Sequence, residues 1–247
     1  MPNWCNNKLV IGGKTEQVLA FVNDALANES KPAITSVVKD ITALQSAKLT
    51  LRSFLPMPAC FDKYDLTNIC RTDDSADHLK VGDKVHNYGV ELVLTEEIIT
   101  DIKANLEEQK AFGAVGWYAY NCKTLGTKWD ADIDIYDTEE VNGESWIYAY
   151  CDTAWSPALE WSANALQRAL DNGLADTLQI ETYYYELGVA FCGEATAFLA
   201  DGEVSLSDEC YNLDEAPEDF LDDLGILDEV IKEMYACEEE NEENSEK

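Results

Sequence analysis

The period of apolar positions changes several times along the 247-residue chain, and each change marks an element. Asn7 to Gly13 is a short, mostly apolar run closed by Gly12-Gly13, which reads as a strand. Thr15 stands where a helix cap belongs. Val18, Leu19, Phe21, Val22, Ala25 and Leu26 then repeat at three and four, so a helix follows. Past Pro32 the same spacing in Ile34, Val37, Val38, Ile41 and Leu44 predicts a second helix, ahead of a strand at about 49 to 54 that Leu55-Pro56-Met57-Pro58 closes. Residues 59 to 90 hold no sustained period and are punctuated by Asp and Gly, the pattern of a long connection. A helix capped by Thr95 and faced by Ile98, Ile99, Ile102 and Leu106 completes an insertion spanning about 59 to 112, with Gly113 just past its end.

Strict alternation dominates the second half. Trp129, Ala131, Ile133 and Ile135 interleave with Asp130, Asp132 and Asp134, which predicts a strand with a buried apolar face, Trp129 included, and a wet carboxylate face. Asn142-Gly143 signals a turn into an aromatic strand from Ser145 to Asp152. Ser156 as cap, Pro157 at the first helical position and Gly173 past the end frame a helix, with Trp155, Leu159 and Leu166 expected inside. Strands at about 177 to 186 and 189 to 199 follow, and Asp201-Gly202 turns the chain into a short last strand. Phe220, Leu221, Leu224, Leu227, Val230, Ile231 and Met234 suit one amphipathic helix over about 207 to 237, and 238 to 247 reads as a disordered acidic tail.

Composition adds sign to this pattern. With 46% apolar and 10% aromatic residues the chain is hydrophobic enough to fold, while 17 Lys+Arg against 49 Asp+Glu leaves a formal charge of −32. That balance excludes direct nucleic-acid binding through a broad basic face and argues against an anionic membrane surface. The longest apolar stretch, 188 to 200, carries Glu194 and is too short to span a bilayer. No basic region followed by an apolar run opens the sequence, so the expected location is the cytoplasm. The eight cysteines form no C-x-x-C pair and only His78 and His86 accompany them, so they read as reduced thiols rather than zinc ligands.

Five ordered blocks carry a resemblance. They are Met1-Pro2-Asn3-Trp4-Cys5-Asn6-Asn7, Leu55-Pro56-Met57-Pro58, Gly126-Thr127-Lys128-Trp129-Asp130-Ala131, Asp152-Thr153-Ala154-Trp155-Ser156-Pro157, and Tyr185-Glu186 through Gly188 to Phe191-Cys192-Gly193. Together they resemble the YubB-type ferredoxin-like domain family of phage and conjugative-plasmid proteins. The chain departs from that pattern at Thr124-Leu125, where the family has Asn-Trp, and at Ala158, where it has a second Pro. The resemblance implies a ferredoxin-like fold and a mobile-element origin, and it transfers no site residue. The combined expectation is an α+β body over 1 to 206: ferredoxin-like β-α-β halves with an extended antiparallel sheet, followed by the acidic helix and tail.

Candidate chemistry narrows by elimination. Carboxylates two apart on a strand point the same way, so Asp130, Asp132 and Asp134 could gather a divalent cation. An EF-hand loop, however, needs Gly at its sixth position, and that position is Ile135. The row reads instead as a solvated or partner-contacting face. Pro2 lacks the basic cluster that would seat an acidic substrate, Ser156 has no nearby His, and Gly12-Gly13-Lys14-Thr15 is too short for a phosphate loop. Trp4, Trp117, Trp129, Trp146, Trp155 and Trp161 read chiefly as packing residues. No catalytic, metal or cofactor residue is assigned. The expected partner is a basic host protein, itself a nucleic-acid binder, contacted by Asp130, Asp132, Asp134, Asp222 and Asp223. The alternative is a small-ligand binder or enzyme with its site in the aromatic, acidic second half.

Overall fold

The structure is a computed structural model, in which residues 3–28, 37–70, 75–174, 176–228 and 230 are described. In chain order, β1 (Trp4–Lys14) leads into α1 (Thr15–Asn28), a 3-10 turn (Ile41–Ser46), β2 (Leu49–Thr50) and three one-turn helices: α2 (Leu51–Phe54), α3 (Cys60–Lys63) and α4 (Leu66–Ile69). A hairpin of β3 (Lys84–Asn87) and β4 (Val90–Val93) precedes α5 (Glu96–Ala111) and α6 (Gly116–Leu125). Then come β5 (Asp132–Val141), β6 (Glu144–Ala154), α7 (Leu159–Asp171), β7 (Gln179–Glu186), β8 (Phe191–Ala200), β9 (Glu203–Asn212) and α8 (Glu218–Leu224).

Seven strands form one antiparallel sheet in the order β2-β5-β6-β1-β7-β8-β9. In the unit β1-α1-β5, strand β6 lies between the two strands, and in β6-α7-β7 strand β1 does, so two β-α-β units interleave. The fold is α+β. The helices of both units cover one face, where Val18, Phe21, Val22, Trp161, Ala165 and Leu166 pack on Leu9, Ile11, Ile147 and Ile180. Phe54 from α2 joins them, with its ring centroid 4.7 Å from that of Phe21 and 5.4 Å, edge-on, from that of Trp161.

Several sequence expectations are corrected here. The strand expected at 49 to 54 is only the two-residue β2: Thr50 and Ser53 form a capping box that winds 51 to 54 into a helical turn, so the first β-α-β unit closes on β5 instead. The helix expected over 34 to 44 is only the 3-10 turn capped by Asp40, with Ile41 and Leu44 buried and Val37 exposed; Ile34 lies outside the described residues. Ser156 does not cap α7, which starts at Leu159, because the chain first makes a left-handed turn at Trp155. Leu159 is only half-buried. Strand β9 runs to Asn212, so the body extends past 206. Finally, α8 stops at Gly225, whose φ of 75° is the left-handed ending that glycine adopts at least cost, and the expected long helix is broken there. Ile231, Met234 and the acidic tail lie outside the described residues.

The insertion has interiors of its own. Leu66, Ile69, Leu94, Ile102 and Leu106 form one cluster, and Cys60, Phe61, Ala114 and Tyr120 another. Thr95 caps α5 as expected, its hydroxyl accepting the Ile98 N–H at 3.2 Å. Buried Asn105 and Gln109 both donate to the Cys60 carbonyl. No described helix is long and apolar enough to cross a membrane.

Candidate functional site

Cross-strand partners share a face of a sheet, so the register assigns every side chain opposite the helices. Lys8 stands between Tyr150 and Tyr183, and Val10 between Tyr148 and Glu181. Outward from there, Asp134 pairs Tyr150, Asp137 pairs Tyr148 and Glu139 pairs Trp146 on β5, while Glu194 pairs Tyr183 and Glu209 pairs Glu194 on the other side. A bulge between Ile135 and Asp137 adds Tyr136 to this face, where its ring stacks on Tyr150 at 4.5 Å. Gly12 is required here, since a Cβ would lie 2.8 Å from the Trp146 ring that crosses it. The open face is therefore aromatic and acidic. Its bases are Lys8, which makes no ion pair among the described residues, and Lys14 at the strand end, 3.7 Å from Asp176.

One end of this face concentrates the motif residues. Asn7 is buried, donating to the carbonyls of Cys5 (3.0 Å) and Cys151 (2.7 Å) and to Thr153 Oγ1 (2.9 Å), and accepting the Ala158 N–H at 3.1 Å. Thr127 Oγ1 exchanges hydrogen bonds with both backbone groups of Ala154 at 3.0 and 3.1 Å. Thr153 Oγ1 donates to the Ser156 carbonyl at 2.6 Å, Ser156 Oγ donates to the Gly126 carbonyl, and the Trp155 N–H donates to the Asn3 carbonyl at 3.0 Å. Most of these links tie the start of β1, the 126 to 131 block and the segment from 151 to 158 to one another. Trp155 has a φ of 76°, a left-handed conformation that costs a bulky residue about 1–2 kcal/mol. The network holds it there.

The result of that clamp is three tryptophans on the surface: Trp4 is 52% exposed, Trp155 49% and Trp129 38%. Trp129 and Trp155 are corrections to the sequence reading. Trp129 precedes the first residue of β5 by three positions, so strand alternation does not reach it, and the turn at residue 155 takes that ring out of register. The Trp4 and Trp129 centroids lie 6.5 Å apart, and Lys128 Nζ stands 4.5 Å from the centre of the Trp129 ring. That contact is an internal cation–π pair.

Beside the tryptophans runs a groove of about 370 Å³ lined by Trp4, Asp130, Asp132, Asp134 and Asp152. All three predicted aspartates are exposed, but they are not equivalent. Asp130 Oδ1 accepts the N–H groups of Arg52 and Ala131, each at 3.0 Å, and so anchors the start of α2. Desolvation pushes the Asp130 carboxyl above its ordinary value although its residue keeps open surface, and the two N–H donors and the Arg52 charge oppose the rise. Desolvation, then the charge of Asp134, also raises Asp152. Among the described residues no group of three or more His, Cys, Asp or Glu side chains is arranged to hold a metal ion.

Asp223 and Asp222 part company as well. Asp223 lines a second cavity, on the open face beneath α8, while Asp222 is exposed and lines neither the cavity nor the groove. The sequence reading missed Asp152, Glu181 and Glu194. The alternation of Trp146, Tyr148, Tyr150 and Asp152 placed Asp152 on the aromatic side of β6, but its meeting with Asp134 depends on pairing that periodicity does not reveal. Comparison of the chain with protein-family models, curated proteins and solved structures finds no match.

Proposed function

We propose that this is a non-enzymatic interaction protein of a phage or plasmid that occupies the basic surface of a host protein, one that ordinarily binds nucleic acid. The observation that carries the proposal is the corner where exposed Trp4 and Trp129, with exposed Trp155 following the strand partner of Trp4, adjoin Asp132, Asp134 and Asp152 on an acidic sheet face. Aromatic rings and carboxylates side by side are the two partners that lysine and arginine seek. A strained, over-determined turn that presents a large apolar ring to water is a feature of binding sites rather than of packing. The strand order β5-β6-β1-β7 supports a ferredoxin-like core, and three of the five blocks that suggest the mobile-element family, at 1 to 7, 126 to 131 and 152 to 157, supply most of the clamp and the three tryptophans. In this reading the protein works in the host cytoplasm without a cofactor and does not itself bind nucleic acid.

Affinity for a basic, nucleic-acid-binding host protein, measured as salt rises and with duplex DNA as competitor, tests this. The complex should weaken steeply with salt, because exposed charges are screened within about 8 Å at physiological ionic strength, and DNA should displace the protein. Asp132→Asn with Asp134→Asn and Asp152→Asn should slow association. Salt-independent binding, or turnover of a small molecule by the purified protein, would overturn the reading.

A further inference from the structure

We propose that the cavity between the open sheet face and α8 is a guanidinium pocket that receives one arginine side chain of the basic partner, an inference that rests on the binding function above. The cavity measures about 510 Å³. Its floor is aromatic, from Trp146, Tyr148 and Tyr183, and α8 closes one side with Phe220 and Leu224. Three carboxylates enter it from separate elements: Glu181 on β7, Glu194 on β8 and Asp223 on α8.

These groups converge on one phenol. Tyr183 OH donates to Glu181 Oε2 at 3.0 Å, and its pKa is pushed up to about 12 by desolvation first, then by that bond and by the charges of Glu181, Glu194 and Asp223. Lys8 is the single base of the lining. It leaves the cavity negative, so a phosphate or carboxylate ligand would face three like charges with one lysine in compensation.

The occupant is therefore a cation, and the aromatic floor selects which. A guanidinium is planar and weakly hydrated, stacks on a ring and reaches carboxylates at its edge through several N–H groups at once. An ammonium is a compact, strongly hydrated charge that gains little from such a floor. The sheet supplies rigidity: Gln179 Nε2 donates to Glu181 Oε1 at 2.9 Å, so this carboxylate is held before any ligand arrives.

Titration of the intact protein with an arginine-containing peptide, its lysine counterpart and N-acetylarginine amide tests the pocket. Calorimetry would give affinity, and the Trp146 indole N–H signal in NMR would report location. The arginine peptide should bind roughly tenfold or more tightly than the lysine peptide, in keeping with the stacking preference. It should shift the Trp146 signal, and Glu194→Gln with Asp223→Asn, both exposed positions, should abolish most of the preference.

Equal affinity for the two peptides would overturn the pocket and leave an interaction through charge alone. Arginine binding unaffected by the double variant would overturn it too, and the groove at Trp4 would become the binding place. N-acetylarginine amide binding as tightly as the peptide would overturn the partner side chain in favour of a free guanidinium compound. Tight binding of a basic protein with no response at Trp146 would reject the pocket alone, whereas loss of all basic-protein binding would reject the proposed function with it.

Discussion

On the helix side of the sheet, Leu9, Ile11, Ile147 and Ile180 are buried to within 2% of their surface, while their direct chain neighbours Lys8, Tyr148 and Glu181 on the other side are not. Both sets belong to the same strands, one residue apart. The closed side follows from removing apolar area from water, worth about 25 cal/mol per Å². The open side follows that rule only under α8, where Cys192 and Tyr185 pack with Leu221; elsewhere it spends its positions on Tyr, Trp, Asp and Glu, whose stacking and charge add little to a fold that the helices already close. Like carboxylates facing each other, as Glu194 and Glu209 do, cost stability where they stand. The difference separates the face that folding accounts for from the face on which the proposed encounter rests.

The largest expected effect separates the two faces directly. Trp161 is fully buried, and its indole Nε1–H donates to the Leu51 carbonyl at 3.0 Å. Trp161→Ala should cost about 3–5 kcal/mol in urea unfolding, from the cavity it opens. Tyr150→Ala on the open face, where Tyr150 is 54% exposed, should cost less than about 1 kcal/mol. Similar losses at the two positions would break the distinction.

Next in size is the clamp that joins the faces at their end. Asn7→Ala removes three donated bonds and orphans the buried Ala158 N–H, which should cost about 2–3 kcal/mol. It should also quench the difference between exposed and buried tryptophan fluorescence as the turn at Trp155 relaxes. A stability loss with the tryptophan corner unchanged would show that Asn7 holds the strands but not the site.

How far the sequence reached follows from what kind of signal each element leaves. α1, α5, α7 and the strands from β5 to β8 were legible because period and turn residues are local, and so was the exposed row of Asp132 and Asp134. The 3-10 turn was misread as a helix because apolar spacing of three and four is shared by a short turn packed on a core; α2 was misread as strand because four residues are too few to display a period, and the Thr50–Ser53 capping box was the available local sign. Trp129 and Trp155 were misread for another reason. Large aromatic residues are usually buried for area, and the turn that exposes Trp155 is fixed by hydrogen bonds that bring Asn7, Thr127 and Thr153 together from separate parts of the chain. The cavity with Glu181, Glu194 and Asp223 was invisible, since three elements must assemble before it exists.

A smaller effect tests the strained turn. Trp155→Gly relieves a left-handed φ and should change stability by no more than about 1 kcal/mol in either direction, because glycine regains conformational freedom in the unfolded chain. Affinity for a basic partner should nonetheless fall by at least about tenfold, the loss of one exposed aromatic anchor. Unchanged affinity would place Trp155 outside the contact, and a large stability loss would show that the ring packs more than its exposure indicates.

The smallest effect concerns Asp152, and its sign runs against the usual carboxylate. A paired Asp has its folded pKa lowered and loses stability in acid. Asp152 is raised, by desolvation and by Asp134, so the folded chain holds this proton more tightly than the unfolded one. Between the ordinary value near 3.9 and the raised one, the native state binds more protons, and stability falls as pH rises through that window. Above it the full penalty of a crowded charge remains. Asp152→Asn should therefore stabilise the fold at about pH 7, and the gain should vanish at about pH 3, where both states carry the proton. Asp134→Asn should reproduce the part that arises from charge. A variant less stable than the parent at neutral pH would show that the Asp152 carboxylate is held by a favourable partner, and the open face would then owe its acidity to folding after all.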